Sequence, residues 1–445
     1  MTGSAELDAV CARWLLLALA PIVLAAPLRW AIAAWLVMTN LDATGSGVAS
    51  HAGVGWLNAF KAVALPAWLL VRLRGVRHVI PGGWPARLWL ALAAWAGVSA
   101  LWSPYPLAAV KLAAGMAGIL LAVAMLESAL RRGVLDDRSI FWFLFASLTL
   151  ALVQTIFFGD GSFGYAGRGM PQRFTSFVAA QQFAALLAAM VCWTLWAPQW
   201  SEKRRTILLL ALFAALAANG SRTWTLGALI ALGIATLVNR PRWPNLARVA
   251  VVIAILMSVP AIRRGLHRQP AGEPPNRLTA TAYALVRGED RADGMGLGTA
   301  RFRLRLYQGV WDAWRTGGGK GWWIGHGTGS GAQVAQRLFP YAYRSESLDP
   351  NRVVHNEWLR VTYELGIIGL LLWLGVLAGL VHLAWSRRPD RSAMALLSYL
   401  PALLLGLTAE NVIDGAGNVV TTGLLLLVAR AAAREQPLSE RPGTS

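Results

Sequence analysis

Apolar stretches of roughly 20 residues follow one another along almost the whole chain, separated by short breaks rich in Arg, Pro and Gly. The 445 residues are 56% hydrophobic and only 14% charged, which is too apolar for an ordinary soluble domain. Because a bilayer core about 30 Å thick needs about 20 apolar residues per helix, these stretches have the length of membrane spans. The sequence therefore predicts an all-α, polytopic membrane protein with about 12 transmembrane helices.

The predicted spans divide the chain into three parts. About nine spans fall in residues 1–262 and about three in residues 358–445, with a long segment at 263–357 between them. The spans are 14–39, 56–71, 87–103, 107–126, 139–158, 176–197, 205–219, 223–239, 247–262, 358–385, 393–408 and 417–433. Two prolines and Arg29 permit a division of the first span, but the charge pattern favours a single helix.

Basic residues cluster in every second short connection between spans. The clusters are Arg72, Arg74, Arg77 and Arg87; Arg131, Arg132 and Arg138; Lys203, Arg204 and Arg205; Arg240, Arg242 and Arg248; and Arg387, Arg388 and Arg391. The positive-inside rule makes these connections cytoplasmic. With one helix in the first span and an even number of spans, both termini are then predicted to be cytoplasmic.

The segment 263–357 is predicted to lie outside, and it is far longer than an ordinary connection. Its arginines outnumber its acidic residues. They could simply face solvent or anionic lipid head groups, or they could bind phosphate or pyrophosphate, for which the guanidinium fork is suited. Nucleic acid is not an expected partner for a segment on this side of the membrane.

Arg222 is a stronger candidate for a functional residue than the arginines of the 263–357 segment, because two apolar helices meet at it with almost no connecting loop. Its charge must lie at the membrane interface or point into a polar cavity, and such a residue is a functional candidate. Arg173 stands in the same way before a helix that carries Gln181 and Gln182, whose amides indicate either a hydrated cavity or contacts between helices.

His355 and Asn356 stand where the arginine-rich segment meets a new apolar helix. Imidazole has the side-chain pKa closest to neutral, so a histidine at this point could accept a proton or bind an anion. His355 is the candidate general base, and Asn356 or Glu357 is expected to orient it.

The ordered set of these features resembles the O-antigen ligase and polymerase family over roughly residues 165–375. The matching elements are Arg173 before a helix; Ser221-Arg222-Thr223; Arg303 or Arg305 before Tyr307 and Trp311; Gly325, Gly327 and Gly329; His355-Asn356; and Glu364-Leu365-Gly366. The customary proline before Gly325 is absent, which leaves open whether Arg303 or Arg305 is the functional arginine.

The resemblance implies a GT-C-like glycosyltransferase in the bacterial inner membrane, with its active site facing the periplasm under the 263–357 segment. Its donor would be undecaprenyl-pyrophosphate-linked glycan. A ligase passes the glycan to a lipid A-core sugar, a polymerase to another repeat unit, and a protein O-oligosaccharyltransferase to Ser or Thr. The single long outer segment favours the ligase.

The chemistry follows from charge. Arg173, Arg222 and Arg303 or Arg305 would stabilise the negative charge of the departing pyrophosphate, and the resemblance implies an inverting single displacement. Asp290 and Asp293 are the best local metal ligands, but Arg287 and Arg291 flank them, so no metal and no other cofactor is expected.

A transporter or flippase for an anionic lipid-linked substrate is the alternative of another class. It would use the same arginines as a binding funnel. No internal repeat or pair of broken helices is evident in the sequence, which favours the enzyme.

Overall fold

The computed structural model describes residues 3–43, 55–73, 84–158, 174–197, 200–238, 247–254, 297–339, 354–388, 390–409 and 419–433. Within these residues the structure is helical, apart from one isolated bridge between Leu41 and Phe177. The predicted all-α class is therefore confirmed. Arg173, Asp290 and Asp293 lie outside the described residues.

The helices up to α11 form the N-terminal part of the chain. They are α1 Gly3–Ala25, α2 Leu28–Met38, α3 Gly55–Ala59, α4 Leu65–Arg72, α5 Trp84–Val98, α6 Pro106–Arg131, α7 Asp137–Val153, α8 Ala180–Trp196, α9 Glu202–Asn219, α10 Arg222–Val238 and α11 at 247–254. Two π-helical turns, Phe60–Ala64 and Gln154–Phe158, join α3 to α4 and extend α7. Side-chain caps begin α7 at Asp136 and α9 at Ser201.

The remaining helices are α12 Leu297–Thr316, α13 Gly318–Ile324, α14 Gly331–Leu338, α15 Glu357–Ser386, α16 Arg391–Ala409 and α17 Val419–Ala433. Four helical segments of the described chain are long and apolar enough to cross a membrane: 106–131, 137–158, 357–386 and 391–409. Shorter apolar helices accompany them. The composition predicts a larger number of crossings, about 12, and that number stays a prediction.

Basic connections meet at one end of the helix bundle, which we call the basic side. Arg430 pairs with Asp137, Arg131 donates to Ala432 O at 3.0 Å, and Arg387 donates to Ala431 O at 2.7 Å. Arg29 lies 3.7 Å from Asp136. These contacts bring the ends of α2, α6, α7, α15 and α17 to one face, as the charge alternation requires.

The prediction of a single first helix is wrong. The chain breaks at Ala26 and Pro27, since proline cannot continue the hydrogen-bond ladder, and α2 then returns alongside α1. Arg72 holds the break on the basic side by donating to Ala26 O at 2.7 Å. Further along both helices, Arg13 Nε donates to Ala43 O at 2.9 Å. The start of α1 therefore lies away from the basic side, which removes the argument for two cytoplasmic termini.

Residues 39–43, which follow the end of α2, belong to a buried polar cluster. The buried Lys61 ammonium donates to Leu41 O at 2.5 Å, and Asn40 Nδ2 donates to Ser147 Oγ at 2.9 Å. Asn58 Nδ2 donates to Asp42 Oδ1 at 2.8 Å. A cation near a helix C-terminus is favourable, and polar partners are required where backbone leaves helical geometry inside a membrane.

The long helix α15 is broken at Gly366, which has φ 69 and ψ −168. The following residues, 367–386, rise about 30 Å at 1.5 Å per residue, which matches the hydrocarbon core. The length of this part therefore fits a membrane crossing that begins at the break, on the side opposite the basic connections. We call this the His355 side.

Glycines make the break possible because it packs backbone against backbone. A Cβ on Gly366 would lie 2.3 Å from Trp323 O, and one on Gly325 would lie 2.3 Å from Glu364 O. Both glycines have positive φ. The turn 325–329 donates its His326 and Gly327 N–H groups to Tyr363 O and Glu364 O at 3.0 and 2.9 Å.

A small outer layer covers the His355 side. Helices α12 and α14 and the start of α15 share their own apolar core, separate from the main one, formed by Leu306, Val310, Ala332, Val334, Ala335, Val354 and Tyr363. Part of the segment predicted to roof the site is therefore helical and packed against α15.

Replacing Gly366 by alanine should destabilise the protein by about 2 kcal/mol or more, because the new Cβ meets backbone atoms at a positive φ. Gly233→Ala is the matched control, since no atom lies within 4 Å of its Cβ position inside α10. Thermal denaturation of the detergent-purified variants at one scan rate should lower the midpoint only for Gly366→Ala. Equal midpoints would contradict the packing described for the break.

The α1–α2 hairpin predicts that Leu7 and Arg138 face opposite sides of the membrane. Single cysteines at these positions, with Cys11 and Cys192 changed to alanine, should react with an impermeant maleimide from opposite sides of sealed vesicles of known orientation. Labelling of both cysteines from the same side would contradict the hairpin and indicate that α1 and α2 together cross the membrane only once.

Candidate functional site

His355 lies immediately before α15 and has an unusual backbone conformation. Its φ is 51, and it is the one non-glycine residue of the described chain with a positive φ. Such a conformation is rare for a residue with a Cβ and is often found at functional sites. Asn356, the next residue, caps α15 by accepting a hydrogen bond from Leu359 N–H at 3.1 Å.

Part of His355 remains accessible, but the surrounding protein has a strong effect on its ring. Burial lowers the pKa of His355 to about 4, and the nearby positive charge of Arg303 acts in the same direction. The imidazole is therefore neutral at neutral pH. A neutral imidazole can accept a proton, which is the state that a general base needs.

The structure distinguishes between Arg303 and Arg305 by their positions on α12. Arg303, Leu306, Tyr307 and Val310 follow helical spacing and form one face. Leu306 and Val310 are fully buried in the outer core, and Arg303 is partly buried and acts on His355. Arg305 is exposed. Of the two candidates, Arg303 is the one that the structure brings to the histidine.

Tyr307 connects the histidine to a second helix end. Its hydroxyl lies 2.7 Å from His355 O and 3.2 Å from Thr408 O, near the end of α16. Sequence analysis named Tyr307 as part of a motif but gave it no role, because only the folded arrangement places its hydroxyl on the backbone of residue 355. The sequence feature that could have indicated a role is the spacing of four residues between Tyr307 and Arg303, which places both residues on one face of a helix.

Arg222 begins α10 and is partly buried. Near it on the same helix, Trp224 packs against α16, where a Cβ on Gly406 would lie 2.4 Å from the indole ring. Two residues beyond Gly406, Thr408 meets Tyr307. The start of α10, which carries Arg222, therefore lies beside the C-terminal end of α16. The start of α15, which follows His355, lies beside the same end.

Arg173 is outside the described residues, but the residue after it is well placed. Phe174 N–H donates to Ala218 O at 3.2 Å, and Asn219 Nδ2 donates to Phe174 O at 2.8 Å. These bonds hold the chain beside the α9–α10 turn that leads to Arg222. Of the two glutamines expected to line a cavity or to join helices, Gln182 has a buried Oε1 without a hydrogen-bond partner.

Glu357 forms a buried ion pair with Arg360, whose Nε lies 2.9 Å from Glu357 Oε1. Glu364, on the same helix, accepts from Gly331 N–H at 3.3 Å, at the start of α14. The role predicted for Asn356 and Glu357, orienting His355, stays a prediction. The structure gives each of them a contact within α15.

No group of three or more His, Cys, Asp or Glu side chains that could hold a metal occurs among the described residues. The charged group that acts on His355 is Arg303, and Arg222 begins the helix whose Trp224 packs against α16 near Thr408. This arrangement suits binding of a phosphate-containing anion next to a proton acceptor.

The described chain is helical, with four helical segments long and apolar enough to cross a membrane, and it brings Arg303 to His355. Residues 206–374 match the family model described as O-antigen ligase. This match supports the family resemblance predicted from the motifs, and the matched region includes Arg222, Arg303, Arg305 and His355. No curated protein matches the chain. The family supports a ligase-like or polymerase-like activity on lipid-linked glycans.

Replacing Arg303 by glutamine should raise the pKa of His355 above about 4, because the positive charge that opposes protonation is removed. Burial remains, so the pKa should stay below its ordinary value of about 6.5. NMR titration of the histidine-labelled protein in detergent measures it, with His355→Gln assigning the signal. Arg305→Gln is the control and should leave the pKa unchanged; equal effects of both variants would contradict the assignment of Arg303.

Proposed function

We propose that this protein is an O-antigen ligase that transfers a glycan from undecaprenyl pyrophosphate to a lipid A-core sugar. The reaction would take place on the periplasmic face of the bacterial inner membrane, which we equate with the His355 side. The observation that carries the proposal is a neutral imidazole next to Arg303 within the region matched by the family.

In the proposed reaction the acceptor hydroxyl oxygen attacks the anomeric carbon of the donor sugar. The bond from that carbon to the pyrophosphate oxygen breaks, and undecaprenyl pyrophosphate leaves with its negative charge. The hydroxyl proton passes to His355. One displacement of this kind inverts the anomeric configuration.

Arg222 and Arg303, together with Arg173 by its neighbouring backbone, are assigned to the pyrophosphate. Their guanidinium groups remain charged at any working pH and stabilise the charge that develops on the leaving group. Arg305 is exposed and is not assigned this role. The reaction as proposed needs no metal and no nucleotide, since the arginines provide the positive charge.

A pKa of about 4 makes free His355 a weak base, and donor binding would correct this. A bound pyrophosphate compensates the charge of Arg303 and adds negative charge next to the imidazole. Both changes favour the protonated ring and raise its pKa. His355 would then become an effective base only when the donor is present.

Transfer by the purified protein, with donor, lipid A-core acceptor and EDTA but without nucleotide, tests the proposal. His355→Ala should lower the rate about 10²- to 10⁴-fold through loss of the base. Arg303→Ala and Arg222→Ala should each lower it about 10²- to 10³-fold. Arg305→Ala, the matched control, should change it about twofold or less.

The choice of acceptor separates the related activities. Product with a second repeat unit alone would indicate a polymerase, and product with a Ser- or Thr-containing peptide alone would indicate a protein O-oligosaccharyltransferase. Loss of transfer in EDTA that Mg²⁺ restores would contradict the metal-free mechanism. A folded wild-type protein that binds donor but transfers to no acceptor would favour the transporter.

A further inference from the structure

We propose that Tyr307 is a positioning residue that holds His355 in its left-handed backbone conformation and so keeps the imidazole next to Arg303. The inference rests on the proposed function of His355 as the base. It adds a residue that acts on the histidine through the backbone and does not itself need to contact the substrate.

The conformation of residue 355 is constrained from both sides. Val354 before it is completely buried in the outer core, and Asn356 after it caps α15. Between them, the Tyr307 hydroxyl donates to His355 O at 2.7 Å. This bond fixes the plane of the peptide that follows the histidine and thereby its ψ angle. The direction of Cα–Cβ follows from the backbone, and it sets the point from which the imidazole extends.

The same hydroxyl lies 3.2 Å from Thr408 O near the end of α16. Its single proton therefore faces two carbonyl oxygens, one at the start of α15 and one at the outer end of α16.

Tyr307 and Arg303 are one turn apart on the same face of α12. One helix thus carries both the charge that acts on the imidazole and the hydroxyl that holds its backbone. Leu306 and Val310, both completely buried, fix this helix against the outer core. In addition to this apolar packing, the Tyr307 hydrogen bond to His355 O joins α12 directly to the residue before α15.

A purely structural role for Tyr307, tying α12 to α16, would use the same contacts. The two roles differ in what happens when the imidazole is absent. The backbone carbonyl of residue 355 persists in His355→Ala, so a structural role would persist as well. A positioning role would vanish with the ring.

The test is Tyr307→Phe, which removes one oxygen atom and keeps the ring. We expect kcat to fall about 10- to 100-fold, with KM for the donor and the thermal midpoint nearly unchanged. In the His355→Ala background, the same change should cause no further loss of the residual transfer rate. Tyr105→Phe is the control: it loses a 3.4 Å hydrogen bond to Gln336 in the same outer layer and should keep wild-type kcat.

NMR of the labelled His355 ring gives a readout that does not depend on turnover. Tyr307→Phe should change the chemical shifts and the pKa of His355, whereas Tyr105→Phe should not. Unchanged His355 signals, or an equal loss of rate in both backgrounds, would overturn the positioning role. Full activity of His355→Ala would instead overturn the proposed base, and the NMR result would still decide whether Tyr307 positions the ring.

Discussion

The break in α15 at Gly366 is the feature on which the outer part of the structure depends. Helical geometry is interrupted at Gly366, and carbonyl groups buried beside such a break need hydrogen-bond partners. The 325–329 turn donates to Tyr363 O and Glu364 O through its His326 and Gly327 N–H groups, and Trp95 Nε1 donates to Leu365 O at 2.9 Å. Because the donors come from α5 and the outer layer, the break fastens both to α15.

The outer layer in turn determines where the arginines and His355 lie. Glu364 accepts a hydrogen bond from Gly331 N–H and so joins the break to the start of α14. Glu357 and Arg360 bury opposite charges on the same helix, which is tolerable only because they pair. With α14 and the start of α15 in place, packing against the small apolar core sets the orientation of α12 about its own axis. That orientation determines that Arg303, and not Arg305, lies near His355.

Hydropathy was sufficient to predict the helical class, because membrane spans must be long and apolar. The order of the motifs was sufficient to predict the match to the family model, whereas the role of His355 stays a prediction. The α1–α2 hairpin was not predictable from charge counting, since it depends on where Arg72 and Arg13 bind backbone carbonyls. The choice between Arg303 and Arg305 required the buried face of α12, and the role of Tyr307 required a contact 48 residues away in sequence.

Under the proposed function, the low pKa of His355 links donor binding to reactivity. Arg303 opposes protonation of the ring while the site lacks an anion, and a bound pyrophosphate reverses that effect. Linkage requires reciprocity: an anion that raises the affinity of His355 for a proton must itself bind more tightly when His355 is protonated. After transfer, the protonated ring would therefore retain undecaprenyl pyrophosphate until the proton leaves. Loss of that proton and release of the product are then coupled steps, and the electrostatics of one arginine and one histidine would set the order of events.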